Sequence, residues 1–171
     1  EERQREIEKV ASKYAFNGIY NLDFPTMQLG KIPFDKFISA ISDVFKQIEP
    51  NIVYLPFKGD VHTDHYLTFR AAYSCTKVFR YPSIKKIAMM EILSETEFAP
   101  STKEDSFVPN MFVDITDYVD SKIEVFNIYK SEIGNHPFPR SERNIRALST
   151  FRGATAGCGY AESFMILKEL N

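Results

Sequence analysis

Residues 52–57, Ile-Val-Tyr-Leu-Pro-Phe, form an apolar run with no polar alternation. A strand reads this way when both of its faces are covered, as in a parallel sheet flanked by helices. After Lys58-Gly59-Asp60 comes a pattern with Leu67, Ala71, Cys75 and Val78 on one helical face, ending at Tyr81-Pro82. A covered strand that turns into a helix is the repeating piece of an α/β fold with a mostly parallel sheet.

The remaining chain repeats that alternation. Ile7, Val10, Ala11 and Tyr14 mark an amphipathic opening helix, with no Ser, Thr, Asp or Asn cap and no strand before it. Residues 18–25 read as a short strand closed by Pro25. Phe34, Phe37, Ile38, Ile41, Phe45 and Ile48 predict a helix stopped at Glu49-Pro50. Residues 87–93 and 111–115 read as strands, and 117–130 as a helix with Val119, Ile123 and Phe126 inward. Ser141 is a plausible N-cap for a last helix burying Ile145, Leu148 and Phe151, and residues 160–167 could close the sheet. Between these elements, residues 94–110 are polar, acidic and long for a structureless connection, a length commonly tied to function or mobility.

The bulk numbers exclude several classes. A chain of 171 residues fits one domain with a core of its own, and the expectation is a single domain over residues 1–171. Lysine plus arginine (21) nearly balance aspartate plus glutamate (23), so no field points to nucleic acid or an anionic membrane. No apolar run reaches the ~18 residues of a spanning helix, and a cytoplasmic location is the default. Cys75 and Cys158 stand alone and are expected to pack as small apolar residues.

Two of the three histidines lie in His62-Thr63-Asp64-His65, where the strand of residues 52–57 gives way to a helix. Ligands of open α/β sheets bind beyond the carboxyl ends of the strands, and this stretch falls there. Imidazole and carboxylate suit a metal site, although a catalytic zinc takes three protein ligands and two histidines three apart do not complete it. A histidine there could also stabilise an oxyanion or protonate a leaving amine, with Asp64 orienting an imidazole. The plainer alternative is that Thr63 or Asp64 caps the helix and both histidines face solvent. His136, between Asn135 and Pro137, reads as a loop residue.

The stretch YLPFKGDVHTDH resembles the H-x-D-H region of the LmbE-like family, relatives of N-acetylglucosaminyl-phosphatidylinositol de-N-acetylase (PIG-L). FVPNMFVDITDYVDSKIEVFNIYKSEI and HPFPRSERNIRALSTFRGATAGCGYAESF resemble the same family in the same order, as do Arg3-x-x-Glu6 and the segment opening at Tyr20. The resemblance implies a Rossmann-like α/β fold and zinc-dependent deacetylation of an N-acetylated amino sugar. It implies His65 as a zinc ligand (or ligand of another divalent transition metal), His62 as oxyanion stabiliser or acid, Asp64 as its support, and Arg3 as a substrate contact. Family members often assemble, so a homo-oligomer is one possible state.

The family's other motif, A-H-P-D-D-E, supplies two further zinc ligands and the general base, and nothing like it occurs here. The expectation is a piece of a longer deacetylase, lacking its N-terminal strand unit, that binds zinc poorly and is inactive as it stands. The alternative is a non-catalytic sugar- or nucleotide-binding relative without the metal motif.

Overall fold

The computed structural model describes residues 1–170. In chain order it contains helices α1 (Glu2–Tyr14) and α2 (Phe34–Ile48), strand β1 (Ile52–Pro56), helix α3 (Thr63–Ser74), strands β2 (Lys86–Met90) and β3 (Met111–Asp114), helices α4 (Val119–Phe126) and α5 (Glu142–Ala156), and strand β4 (Ala161–Glu169). Short 3-10 turns lie at Leu29–Lys31 and Lys130–Glu132. The strands follow the order β1-β2-β4-β3. β1 pairs with β2 in parallel and β4 runs antiparallel to β2, so the α/β class holds with a mixed sheet.

Contacts divide the chain into two compact units: Glu1–Asn21 with Phe112–Glu162, and Leu22–Met111 with the chain from Ser163 onward. The core of the second unit gathers Phe37 and Ile41 of α2, Val53 and Leu55 of β1, Ala71 and Ala72 of α3, and Ile87 of β2. Cys75 is a free thiol in this cluster, 1% exposed, and burial pushes its pKa above the ordinary thiol value. It therefore packs as a small apolar residue, as its isolation in the sequence suggests.

Three expectations are corrected. Residues 18–25 form no strand; Asp23 has φ 53°, a left-handed conformation that an extended ladder does not accommodate. The helix after the histidines stops at Ser74, so Val78 is exposed. There the hydroxyls of Ser74 and Thr76 donate back to the carbonyls of Ala71 and Tyr73, local bonds that compete with helix continuation. β1 is covered on one face only. Val53 and Leu55 are buried against the helices, while Ile52 and Tyr54 on the opposite face are 50% and 44% exposed.

The first unit departs more mildly from its pattern. On α1 the buried residues are Glu6 and Val10, while Tyr14 is exposed and stacks on Phe16. Glu6 can be buried because Arg3 pairs with it and the Lys130 amide donates to it. Ser141 caps α5 by accepting the Asn144 amide, and Ile145 is buried as expected, but Phe151 faces outward. Gly153 lets α5 lie against the backbone of residues 158–159, since a Cβ there would come within 2.7 Å of the Gly159 carbonyl oxygen.

The one-sided covering of β1 has a measurable consequence. Leu55→Ala should cost about 2–5 kcal/mol of unfolding free energy. Ile52→Ala, on the open face, should cost well under about 1 kcal/mol. Equal losses in urea unfolding would mean that both faces of β1 are packed.

Candidate functional site

The site begins where β1 ends. Lys58 and Gly59 turn the chain, and the Asp60 amide donates to the Phe57 carbonyl at 3.2 Å. A Cβ on Gly59 would fall 2.6 Å from the Phe57 ring and 2.9 Å from the Asp105 carbonyl oxygen, so the turn needs a glycine for its close approach. The following residues enter α3 through His62, whose backbone is extended at φ −74° and ψ 120°.

His62 is itself the cap. Its Nδ1 accepts the Asp64 amide at 3.1 Å, taking the place expected of Thr63 or Asp64. An acceptor at Nδ1 puts the ring proton of neutral His62 on Nε2, which makes Nε2–H a donor. Capping thus engages one ring nitrogen and leaves Nε2 outside the cap. The His65 ring stacks beside it, with centroids 5.1 Å apart and planes at 28°.

Asp64 meets His62 through its backbone amide, and its carboxylate turns to another partner. Its Oδ2 accepts the Met27 amide at 2.5 Å, which ties the loop before α2 to the first turn of α3. The carboxylate on an imidazole is that of Asp60, whose Oδ2 lies 2.8 Å from His65 Nδ1. Its side chain is 0% exposed, and its Oδ1 accepts the Thr96 hydroxyl at 2.6 Å. Asp60 stands two residues before His62, and a carboxylate in a strand-to-helix turn was the signal available for it. Thr96 lies in the polar connection of residues 94–110 and has no such local signal. That connection packs onto the site, with Phe107 edge-on to Phe57 at 5.2 Å.

A cavity of about 510 Å³ adjoins the start of α3, lined by Met27, Gln28, Lys31, Asp60, Thr63 and Tyr66 among others. That volume suits a small ligand. Neither imidazole lines it; Asp60 and Thr63 are its link to the histidine pair.

Arg3, in the other unit, pairs with Glu6 and Glu132, donates to Ser131, and lies over the Tyr129 ring at 5.0 Å. Its guanidinium braces α1 against the Lys130–Glu132 turn. His136 is exposed and lines a second cavity of about 440 Å³ together with Asn127, Arg140 and Arg143.

The fit to a metal can be tested on these donors. His65 offers an imidazole oriented by a buried carboxylate, the arrangement that accompanies metal-ligating histidines. Among the described residues, however, no three His, Cys, Asp or Glu side chains group so as to hold a metal ion. The described donors do not by themselves fit a metal site. No helix among the described residues is long and apolar enough to cross a membrane.

The fold is shared with solved structures that include a deacetylase. Residues 1–76 match the model of the PIG-L family, described as GlcNAc-PI de-N-acetylase. That span includes Arg3, His62, Asp64 and His65. N,N'-diacetylchitobiose deacetylase of Pyrococcus horikoshii has the same fold, with a TM-score of 0.73, 20% identity, and coverage of 98% of this chain and 63% of that one. A conserved protein of Thermus thermophilus gives a TM-score of 0.77 at 20% identity, covering 99% of this chain and 74% of that one. The 4-carboxy-2-hydroxymuconate hydratase of Pseudomonas putida gives 0.66 at 17%, covering 99% and 72%. The chain thus spans 63% of the length of the chitobiose deacetylase.

The turn at Gly59 is open to test. Gly59→Ala should destabilise the protein by about 1–3 kcal/mol, the usual cost of overpacking. Thermal unfolding would show it, and an unchanged midpoint would mean that the turn is not fixed by this close approach.

Proposed function

We propose that the protein is a hydrolase that removes the N-acetyl group from an N-acetylglucosamine-type amino sugar in glycan metabolism. The observation that carries this reading is His62, which caps α3 through Nδ1 and so keeps Nε2–H as a donor at the carboxyl end of β1. The family match over residues 1–76 and the chitobiose deacetylase fold support it. As water adds to the acetyl carbonyl, negative charge gathers on its oxygen, and a donor already oriented there stabilises that charge without reorganising. His62 has that role. Asp64 supports it through its backbone amide and by holding the loop at Met27.

The reading includes a divalent transition metal, zinc by the family resemblance, with His65 as one of its ligands. One imidazole does not retain a catalytic metal, so the 171-residue chain alone is inactive in this reading. A cytoplasmic location and a homo-oligomeric state belong to the same proposal. Arg3 is a weaker candidate for substrate contact, since its guanidinium is engaged by Glu6 and Glu132.

A second reading is favoured by one observation, the incomplete donor set among the described residues. A non-catalytic sugar-binding protein would need the cavity beside Tyr66 and Lys31 and no metal.

The test is acetate release from N-acetylglucosamine and its β-linked dimer by the protein at its natural length. His62→Ala should lower kcat by about 10²–10³-fold with little change in KM, the loss typical of removing one oxyanion donor. His65→Ala should abolish both turnover and bound metal; full activity in that variant would sink the ligand assignment. Sugar binding without any acetate release would favour the binding reading.

A separate calorimetric measurement addresses the 171-residue chain. It should bind zinc no more tightly than isolated histidine pairs do. Tight 1:1 binding would show that this chain assembles a donor set of its own.

A further inference from the structure

Asp60 is a carboxylate with no exposed side-chain surface, held by two side chains from different segments. Thr96, 8% exposed, has its Oγ1 2.9 Å from the Ile92 amide and 2.6 Å from Asp60 Oδ1. An amide can only donate, so Thr96 Oγ1 accepts from Ile92, and its own proton points to Asp60. Oδ1 is thereby an acceptor. At the other oxygen, His65 Nδ1 lies at 2.8 Å, and the proton between them belongs to the imidazole if Asp60 is ionised.

We propose that Asp60 and Thr96 are positioning residues that fix His65 in its Nδ1–H tautomer and leave the Nε2 lone pair outward. The relay runs from the Ile92 amide through Thr96 and Asp60 to His65, so the segment after β2 sets the donor state of a ring on α3. The neighbouring histidine is held in the opposite form, because His62 Nδ1 accepts an amide. The stacked pair then presents one Nε2–H donor and one Nε2 acceptor, two different chemical functions from one residue type. The proposal deepens the reading of His65 as a site residue and rests on it only for the use made of that lone pair.

The experiment is long-range ¹H–¹⁵N correlation on the full chain labelled at histidine, at a pH where both imidazoles are neutral. In the unmodified protein His65 should show a protonated Nδ1 and a bare Nε2, and His62 the reverse. Asp60→Ala should turn His65 from one dominant tautomer into a mixture while His62 keeps its signature, which also reports that α3 is folded. Thr96→Val, close in shape, is the second variant if Asp60→Ala does not fold, and it should raise the minor tautomer of His65. A bare Nδ1 at His65 in the unmodified protein would overturn the proposal, as would a tautomer unmoved by both substitutions. No turnover or metal is needed for this readout, so failure of the deacetylase reading and failure of the relay are separable.

Discussion

A carboxylate removed from water must find donors for its oxygens, and at Asp60 that requirement organises the surrounding structure. One oxygen is met by Thr96 from the segment after β2, the other by His65 from the first turn of α3. The Asp60 side chain is brought inward by a turn that only a glycine fits, since the Phe57 ring and the Asp105 carbonyl occupy the place of a Cβ at Gly59. Three segments of the chain are held to one point by two short hydrogen bonds. Loss of either partner would leave a buried carboxyl oxygen without its partner, a cost of about 1–3 kcal/mol.

Much of this fold could be read in the sequence, because its helices and strands follow local periodicity. The α2 helix ends at Ile48, just before Glu49-Pro50, and α5 begins after its N-cap Ser141, for reasons written in those residues. The failures have a common cause in context. The run of residues 52–57 looks covered on both faces, yet Ile52 and Tyr54 are half exposed. Pro56, at the last position of β1, fits the edge place of this strand in the sheet, since proline in strands favours edges. The early end of α3 came from Ser74 and Thr76, whose hydroxyls offered the backbone another partner.

The candidate site was legible in one half and hidden in the other. The sequence spacing singles out His62 and His65, and the structure stacks their rings. A helix cap and a chemical site looked like alternatives in the sequence, but imidazole has two nitrogens, and the cap of His62 engages only Nδ1. The carboxylate against His65 is Asp60, while the Asp64 carboxylate pins Met27. Spacing along one helix cannot show such a partner, because the contact depends on how tightly residues 57–61 turn.

The fold itself does not choose the reaction. A deacetylase and a hydratase both share it with this chain, at 20% and 17% identity. The choice rests on what individual side chains can donate or accept. Two histidines at the start of one helix would be redundant if both carried their proton on the same nitrogen. Here the backbone amide of Asp64 and the carboxylate of Asp60 act on the two Nδ1 atoms in opposite senses, one as donor and one as acceptor. In the proposed deacetylase, a donor for the developing oxyanion and a lone pair for a metal or a proton would be divided between these two rings, whose centroids lie 5.1 Å apart.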